Sequence, residues 1–262
     1  MVNFNEISSK DNPLVKLVSS LQSSAKSRKE AGLFVIEGIR ICEDAMENGV
    51  IFDKLIVSKT ACDKYPESIE KFSQIARNSY IFTDSLFKKI CDTENPQGVL
   101  IVCEMPCLNE KINQKGRYIA LENLQDPSNL GAISRTAEAL GISGIIISGD
   151  SCDAFSPKVL RVSMGTILRM PVFFTDNIIG FVNKNNLRSF ACVVDKDAKS
   201  ISEISFNDGD VILIGNEGNG LREETKEMAN NRVTIKMQGN AESLNAAAAA
   251  AIAMWELKGR AK

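Results

Sequence analysis

Leu14, Leu17, Val18 and Leu21 follow Asn12-Pro13 at three- and four-residue spacing, and the pattern stops at Gly32. This predicts one amphipathic helix with a proline start and a glycine stop. From Phe34 to about Glu104 the pattern then switches repeatedly between helical and two-residue periods. IRICEDAMENG reads as a helix ended by Gly49, FDKLIVS as a strand and YPESIEKFSQIA as a helix. SYIFTD reads as a short strand, DSLFKKICDT as a helix and GVLIVCE as a last strand. Together they suffice for a small α/β domain over residues 1–105. The polar stretch MPCLNEKINQKG, with Pro106 and Gly116, predicts a linker over 106–116.

A second α/β domain is expected over 117–262. YIALEN is a strand, NLGAISRTAEALG a helix closed by Gly141, GIIISG a strand, and SPKVLRVSMGTILRM a helix stopped before Pro171. VFFT, a short helix around Ile178–Asn185 and the strand RSFACVVD come next. VILIG then leads through a glycine-rich loop into REETKEMAN, VTIKM and a long alanine-rich helix from Ser243. Strands separated by helices at this spacing predict a mostly parallel sheet covered on both faces.

Composition narrows the chemistry. The 262 residues contain no histidine, which removes Ser-His-Asp triads, Cys-His pairs and His-ligated zinc; no metal site is expected. The seven scattered cysteines include no Cys-x-x-Cys pair and fit free thiols in a reducing cytoplasm. No apolar run approaches the ~20 residues that span a bilayer, and the N-terminus lacks the layout of a secretory signal. A net charge of −2 gives no global basic signal, so any nucleic-acid contact must be a local patch. Lys26, Arg28 and Lys29 cluster at a helix end, where they serve either the helix dipole or a phosphate. Arg161 and Arg169 are equally open between RNA contacts and surface charges.

The loop IGNEGNGL, Ile214 to Leu221, is not a nucleotide loop of the usual kinds. A P-loop needs Lys-Ser/Thr after its last glycine, and Leu221-Arg222 stands there; a dinucleotide fingerprint needs another glycine order at the first turn of its domain. Glu217 would repel a phosphate and suits a ligand bearing hydroxyl or ammonium donors. Two other clusters also follow strands: LQDPSNLGAISRTAEALG, where Ser128 or Asn129 can cap the helix carrying Arg135, and IKMQGNAESLNAAAAAAIAMWEL. Loops after parallel strands share the sheet edge where α/β proteins bind ligands.

The three motifs NLGAISRTA (Asn129–Ala137), IGNEGNGL and IKMQGNAESLNAAAA (Ile235–Ala249) together resemble the SpoU-type (TrmH-like) RNA 2′-O-ribose methyltransferases of the SPOUT superfamily. The resemblance covers about residues 117–258. A weaker one, carried by NPLVKLVSSLQSSAKSRKEAGLFVIEG, extends over 1–104, where such enzymes carry an RNA substrate-binding domain. It implies a C-terminal parallel-sheet domain tied in a trefoil knot, against the general absence of knots. It further implies S-adenosylmethionine as cosubstrate, RNA as partner (ribosomal rather than transfer RNA) and a homodimer. Backbone groups around Gly215, Asn216, Gly218, Ile235, Met237 and Leu244 would hold the adenosine part, with the Val194 loop as a wall. Asn129, Arg135, Glu217, Ser243 and Asn245 would form the catalytic set.

Read as chemistry, methyl transfer from a sulfonium needs alignment more than covalent help. Arg135, whose guanidinium hardly deprotonates, fits a role in stabilising the developing alkoxide and pinning a neighbouring phosphate. The plainer alternatives are helix capping by Asn129 or Ser243, a surface-turn role for Glu217, and pairing of Arg135 with Glu138 or Glu122. At the level of the whole chain, the alternatives are a transfer-RNA methyltransferase and a non-catalytic RNA-binding protein of the same fold.

Overall fold

A computed structural model describes residues 4–106 and 111–259; the first part of the expected linker, residues 107–110, lies outside them. The chain divides into two compact units, Met1–Cys107 with Phe155–Arg169, and Leu108–Ala154 with Met170–Lys262.

The first unit runs β1 (Asn5–Ile7), α1 (Pro13–Ser23), α2 (Ala25–Ala31), β2 (Leu33–Glu37), α3 (Ile39–Glu47), β3 (Phe52–Ser58), α4 (Lys59–Lys64), α5 (Pro66–Ile75), β4 (Asn78–Phe82), α6 (Asp84–Ile90) and β5 (Val99–Glu104). Its five strands are ordered β1-β4-β3-β5-β2, with β5 antiparallel to both neighbours. The single helix expected before Gly32 is two. Ser24 adopts an extended conformation and its hydroxyl accepts from the N–H of Ser27, so α1 ends and α2 starts there. Strand periodicity sorts the core: Val35, Ile56, Leu100 and Val102 join Val18 and Leu21 of α1 and Leu86, Phe87 and Ile90 of α6 in one apolar cluster. On the opposite face Phe52 of β3 meets Phe72 of α5, and α3 packs against β2 and β5.

The second unit contributes β6 (Tyr118–Leu121), α7 (Pro127–Ala139) and β7 (Gly144–Ser148). The chain next forms α8 (Pro157–Val162) and α9 (Thr166–Arg169), which group with the first unit. The single helix expected there is also two; Met164 and Gly165, at φ 52° and 81°, interrupt it. Then follow β8 (Val172–Thr175), α10 (Ile178–Lys184), β9 (Arg188–Cys192), β10 (Lys199–Ser200), a 3-10 turn, β11 (Asp210–Ile214), α11 (Glu223–Met228), β12 (Asn231–Thr234) and α12 (Ala246–Leu257). All seven strands are parallel, in the order β10-β12-β9-β11-β6-β7-β8. The central strands β6, β7 and β11 are buried throughout, as a sheet covered on both faces requires. Among the described residues, no helix is long and apolar enough to cross a membrane.

Candidate active site

Because β12, β9, β11 and β6 are adjacent and parallel, the loops leaving their carboxyl ends emerge along one edge. These loops carry or lead into the three sequence motifs: Glu122–Asp126 runs into α7, which holds Asn129–Ala137, while Gly215–Leu221 precedes α11 and Ile235–Asn245 precedes α12. The fourth, after β9, carries Val194.

The glycine loop closes on itself. Asn216 and Gly220 exchange backbone hydrogen bonds of 3.0 and 2.9 Å, and the Asn216 carboxamide accepts from the N–H groups of Gly218 and Asn219. A Cβ at Gly215 would stand 2.1 Å from the Gly220 carbonyl carbon, and Gly220 has φ +69°. Those two glycines are therefore required by the turn itself. At Gly218 a Cβ would have only the Asn216 carboxamide oxygen nearby, at 3.6 Å. A Cβ at Gly220 would meet nothing within 4 Å, so Gly218 and Gly220 both leave room for close ligand approach, and of these two only Gly220 has a positive φ.

Glu217 is held by the neighbouring loop. Its carboxylate accepts from the backbone N–H of Gln125 (3.0 Å) and Asp126 (2.9 Å) and from Asn129 Nδ2 (2.9 Å). Desolvation pushes its pKa up, but these donors together outweigh it and hold the carboxyl below its ordinary value. Asn129 in turn accepts at Oδ1 from Asn245 Nδ2 at 3.0 Å, and Asn245 Oδ1 accepts from the N–H of Ala247 and Ala248. The polarity of this chain of amides is forced at both ends. A carboxylate can only accept and a backbone N–H can only donate, so both carboxamides have a single consistent orientation. Each Nδ2 keeps one further N–H for another partner.

This arrangement settles the capping alternatives. Asp126, not Ser128 or Asn129, caps α7 by accepting from Ser128 N, and Asn245, not Ser243, caps α12. Asn129 is 6% exposed within α7, and its side chain serves the two other motifs.

A cavity of about 480 Å³ opens beside this network, in the size range of small-molecule sites. Val194, Gly215, Asn216, Glu217, Gly218, Ile235, Met237, Ser243 and Leu244 all line it. Cys192 forms part of the wall; burial pushes its thiol up to about 11, so it presents a neutral surface. Val194, Ile235, Met237 and Leu244 beside the Thr234 hydroxyl and the Glu217 carboxylate suit a nucleoside with a positively charged tail, which S-adenosylmethionine is.

Arg135 is not part of the cavity wall. It is exposed on α7, about 9 Å along the helix axis from Asn129, and forms no ion pair among the described residues. Pairing with Glu122 is excluded, because that carboxylate is 3% exposed and otherwise engaged. Of the expected RNA contacts, Lys26 and Lys29 are exposed, with Lys26 3.7 Å from Glu30. Arg28 is a correction: it is 4% exposed, and its guanidinium caps α1 by donating to the carbonyls of Leu21 and Gln22. Arg161 and Arg169 pair with Asp92 and Asp44.

Sequence reasoning missed Glu122. One oxygen accepts from Arg222 N (2.8 Å) and the other from Thr225 Oγ1 (2.6 Å), which fixes the exit of the glycine loop. Asn216 Nδ2 donates to the Asn123 carbonyl at 2.9 Å and fixes its entrance. The available signal was a carboxylate directly after a wholly apolar strand.

Comparison with known proteins agrees with this geometry. Residues 116–255 match the SpoU rRNA Methylase family, and residues 12–101 match an MRM3-like substrate binding domain. An uncharacterized tRNA/rRNA methyltransferase of Synechocystis is 31% identical over 96% of this chain and 93% of its own length. The 23S rRNA (guanosine(2553)-2′-O)-methyltransferase RlmP of Bacillus subtilis is 30% identical over 97% of this chain and 99% of its own. The crystal structure of an AdoMet-bound rRNA methyltransferase from Sinorhizobium meliloti superimposes with a TM-score of 0.87 at 28% identity, covering 97% of each chain. With two of the motifs lining one cavity, the third bonded to both through Asn129, and the family match spanning more than half the sequence, the chain belongs to the SpoU rRNA methylase family.

Proposed function

We propose that this protein transfers a methyl group from S-adenosylmethionine to a ribose 2′-hydroxyl of ribosomal RNA. One observation carries the reading: Glu217, which lines the cavity, joins Asn129 and Asn245 from two other motifs in one hydrogen-bonded chain. Asn129 is buried while Glu217 and Asn245 reach the solvent-facing side, so the chain is anchored in the protein and open toward a ligand. Ribosomal RNA is favoured over transfer RNA by RlmP, a relative matched over nearly the whole chain whose name specifies 23S rRNA. With that substrate, the reading implies a cytoplasmic protein.

When bound, S-adenosylmethionine supplies an electrophilic methyl on sulfur. The Val194 loop, the glycine loop and Ile235–Leu244 wrap the adenosine part, and Gly218 admits it closely. Glu217 keeps Asn129 and Asn245 oriented, so that their remaining N–H groups and the Ser243 hydroxyl position the ribose oxygen. Arg135 stabilises that oxygen as its proton leaves to phosphate or water, and its fork holds an adjacent phosphate.

Arg135 reaches this point across the boundary between two copies of the chain. Three features support a homodimer. Arg135 lies outside its own cavity wall, α7 packs on α12, and α12 exposes Ala248, Ile252 (40%) and Trp255 (57%) along one stripe. The C-terminal segment from Ile235 is taken as the threaded strand of a trefoil knot, supported by its place beside the glycine loop and the return of α12 to α7 and β11. Mapping ribose methylation in ribosomal RNA from cells with and without the gene tests the function. One 2′-O-methyl missing in the deletion is the expected result; identical maps would refute it.

A further inference from the structure

We infer that the first unit engages RNA through one face only, the one formed by α1, α2 and α6. This rests on the methyltransferase reading for the identity of the partner. It adds the surface, which neither the family match nor the motifs assign. The helices lie on opposite faces of the sheet: α1 and α6 share one apolar cluster and α2 packs on α1, whereas α3 and α5 pack together on the other side.

The two faces differ in charge. Helices α1, α2 and α6 expose five lysines, Lys16, Lys26, Lys29, Lys88 and Lys89, against two carboxylates, Glu30 and Asp84. Only Lys26 has an acidic partner among the described residues. The one arginine on these helices, Arg28, is buried and engaged with carbonyls, so the exposed positions all carry ammonium groups. Helices α3, α4 and α5 carry four cations against six carboxylates. Arg169 of α9 pairs with Asp44 of α3, and Arg161 of α8 with Asp92, just after α6.

Lysines without partners are strongly hydrated point charges with freedom to move, which suits phosphates along a backbone rather than base-specific reading. The α1/α2/α6 face therefore takes the sugar-phosphate backbone of the RNA, and the α3/α4/α5 face turns away from it. Every phosphate that a lysine neutralises adds to the salt dependence of binding.

The test is filter binding of the full-length protein to protein-free large-subunit ribosomal RNA, across about 50–200 mM salt. A K16E/K29E/K88E/K89E variant is expected to bind about tenfold or more weakly, with a salt slope shallower by about 0.7–0.9 for every phosphate left without its lysine. A K64E/K71E variant on the other face is expected to bind like wild type. All six lysines are exposed, but Lys29, Lys88 and Lys89 close the last turns of α2 and α6, where a carboxylate opposes the helix dipole; if the quadruple variant melts well below wild type, a K16Q/K29Q/K88Q/K89Q variant, which removes the charges without reversing them, carries the test. Equal losses on both faces, or none on the first, would overturn the assignment. Calorimetry with S-adenosylmethionine separates this from the enzymatic reading: wild type that binds RNA but no S-adenosylmethionine would sink that reading alone.

Discussion

Asn245 donates its side-chain amide to the Asn129 carboxamide oxygen at 3.0 Å, joining the cap of α12 to the first turn of α7, 116 residues away. The direction of that bond is testable by an isosteric change. Asn245→Asp keeps a good cap for α12, since aspartate and asparagine cap about equally well. It also places two acceptors face to face, and Asn129 cannot turn without opposing its oxygen to Glu217. We expect the rate of methyl transfer to fall by about a hundredfold and stability to fall by about 1–2 kcal/mol. Initial rates and thermal melts would show this. A variant as active as wild type would mean that the amide chain has no part in the reaction.

The loop glycines separate turn closure from ligand fit. Gly215→Ala forces backbone against backbone and should destabilise the protein by about 2–3 kcal/mol. Gly218→Ala has room in the protein alone and should melt like wild type while binding S-adenosylmethionine about tenfold more weakly. Unchanged affinity in the second variant would move the adenosine away from this loop.

Glu217 makes a pH prediction. Its carboxyl in the folded protein titrates below the ordinary value of 4.5, so its stabilising contribution is fully present above that value and is lost as pH falls through the lower one. Being exposed to solvent on one side, the group contributes only about 1 kcal/mol. Glu217→Gln should therefore be less stable than wild type at neutral pH, with the gap narrowing as the solution is acidified below 4.5. Chemical denaturation at several pH values measures it, and a gap that persists into acid would deny the carboxylate this role.

Arg135→Ala removes an exposed side chain with no ion pair among the described residues, so stability should change by about 0.5 kcal/mol or less. Affinity for S-adenosylmethionine should be close to that of wild type, while methyl transfer falls by about 10²–10³-fold. Equal loss of binding and turnover would instead make Arg135 a cofactor contact.

Much of the site was legible in the sequence, because strand periodicity places the motif-bearing loops and a parallel sheet gathers those loops at one edge. The identity of each cap was not, since Asp126, Ser128 and Asn129 all suit a helix start and tertiary partners decide among them. Arg28 reads as a surface cation and is buried, because the break at Ser24 bends α2 back until its guanidinium meets the open carbonyls of α1. Glu122 was invisible for the opposite reason: its partners, Arg222 and Thr225, lie 100 and 103 residues away. Arg135 stands out in its motif as a candidate, but its distance from its own cavity follows from helix geometry that the motif does not display.

The most direct measurement incubates the purified protein with ribosomal RNA and S-adenosylmethionine labelled on its methyl group, digests the RNA to nucleosides and identifies the labelled species by mass spectrometry. The label is predicted on the ribose of one 2′-O-methylated nucleoside. Label on a base, or none in RNA despite S-adenosylmethionine binding, would contradict the assignment.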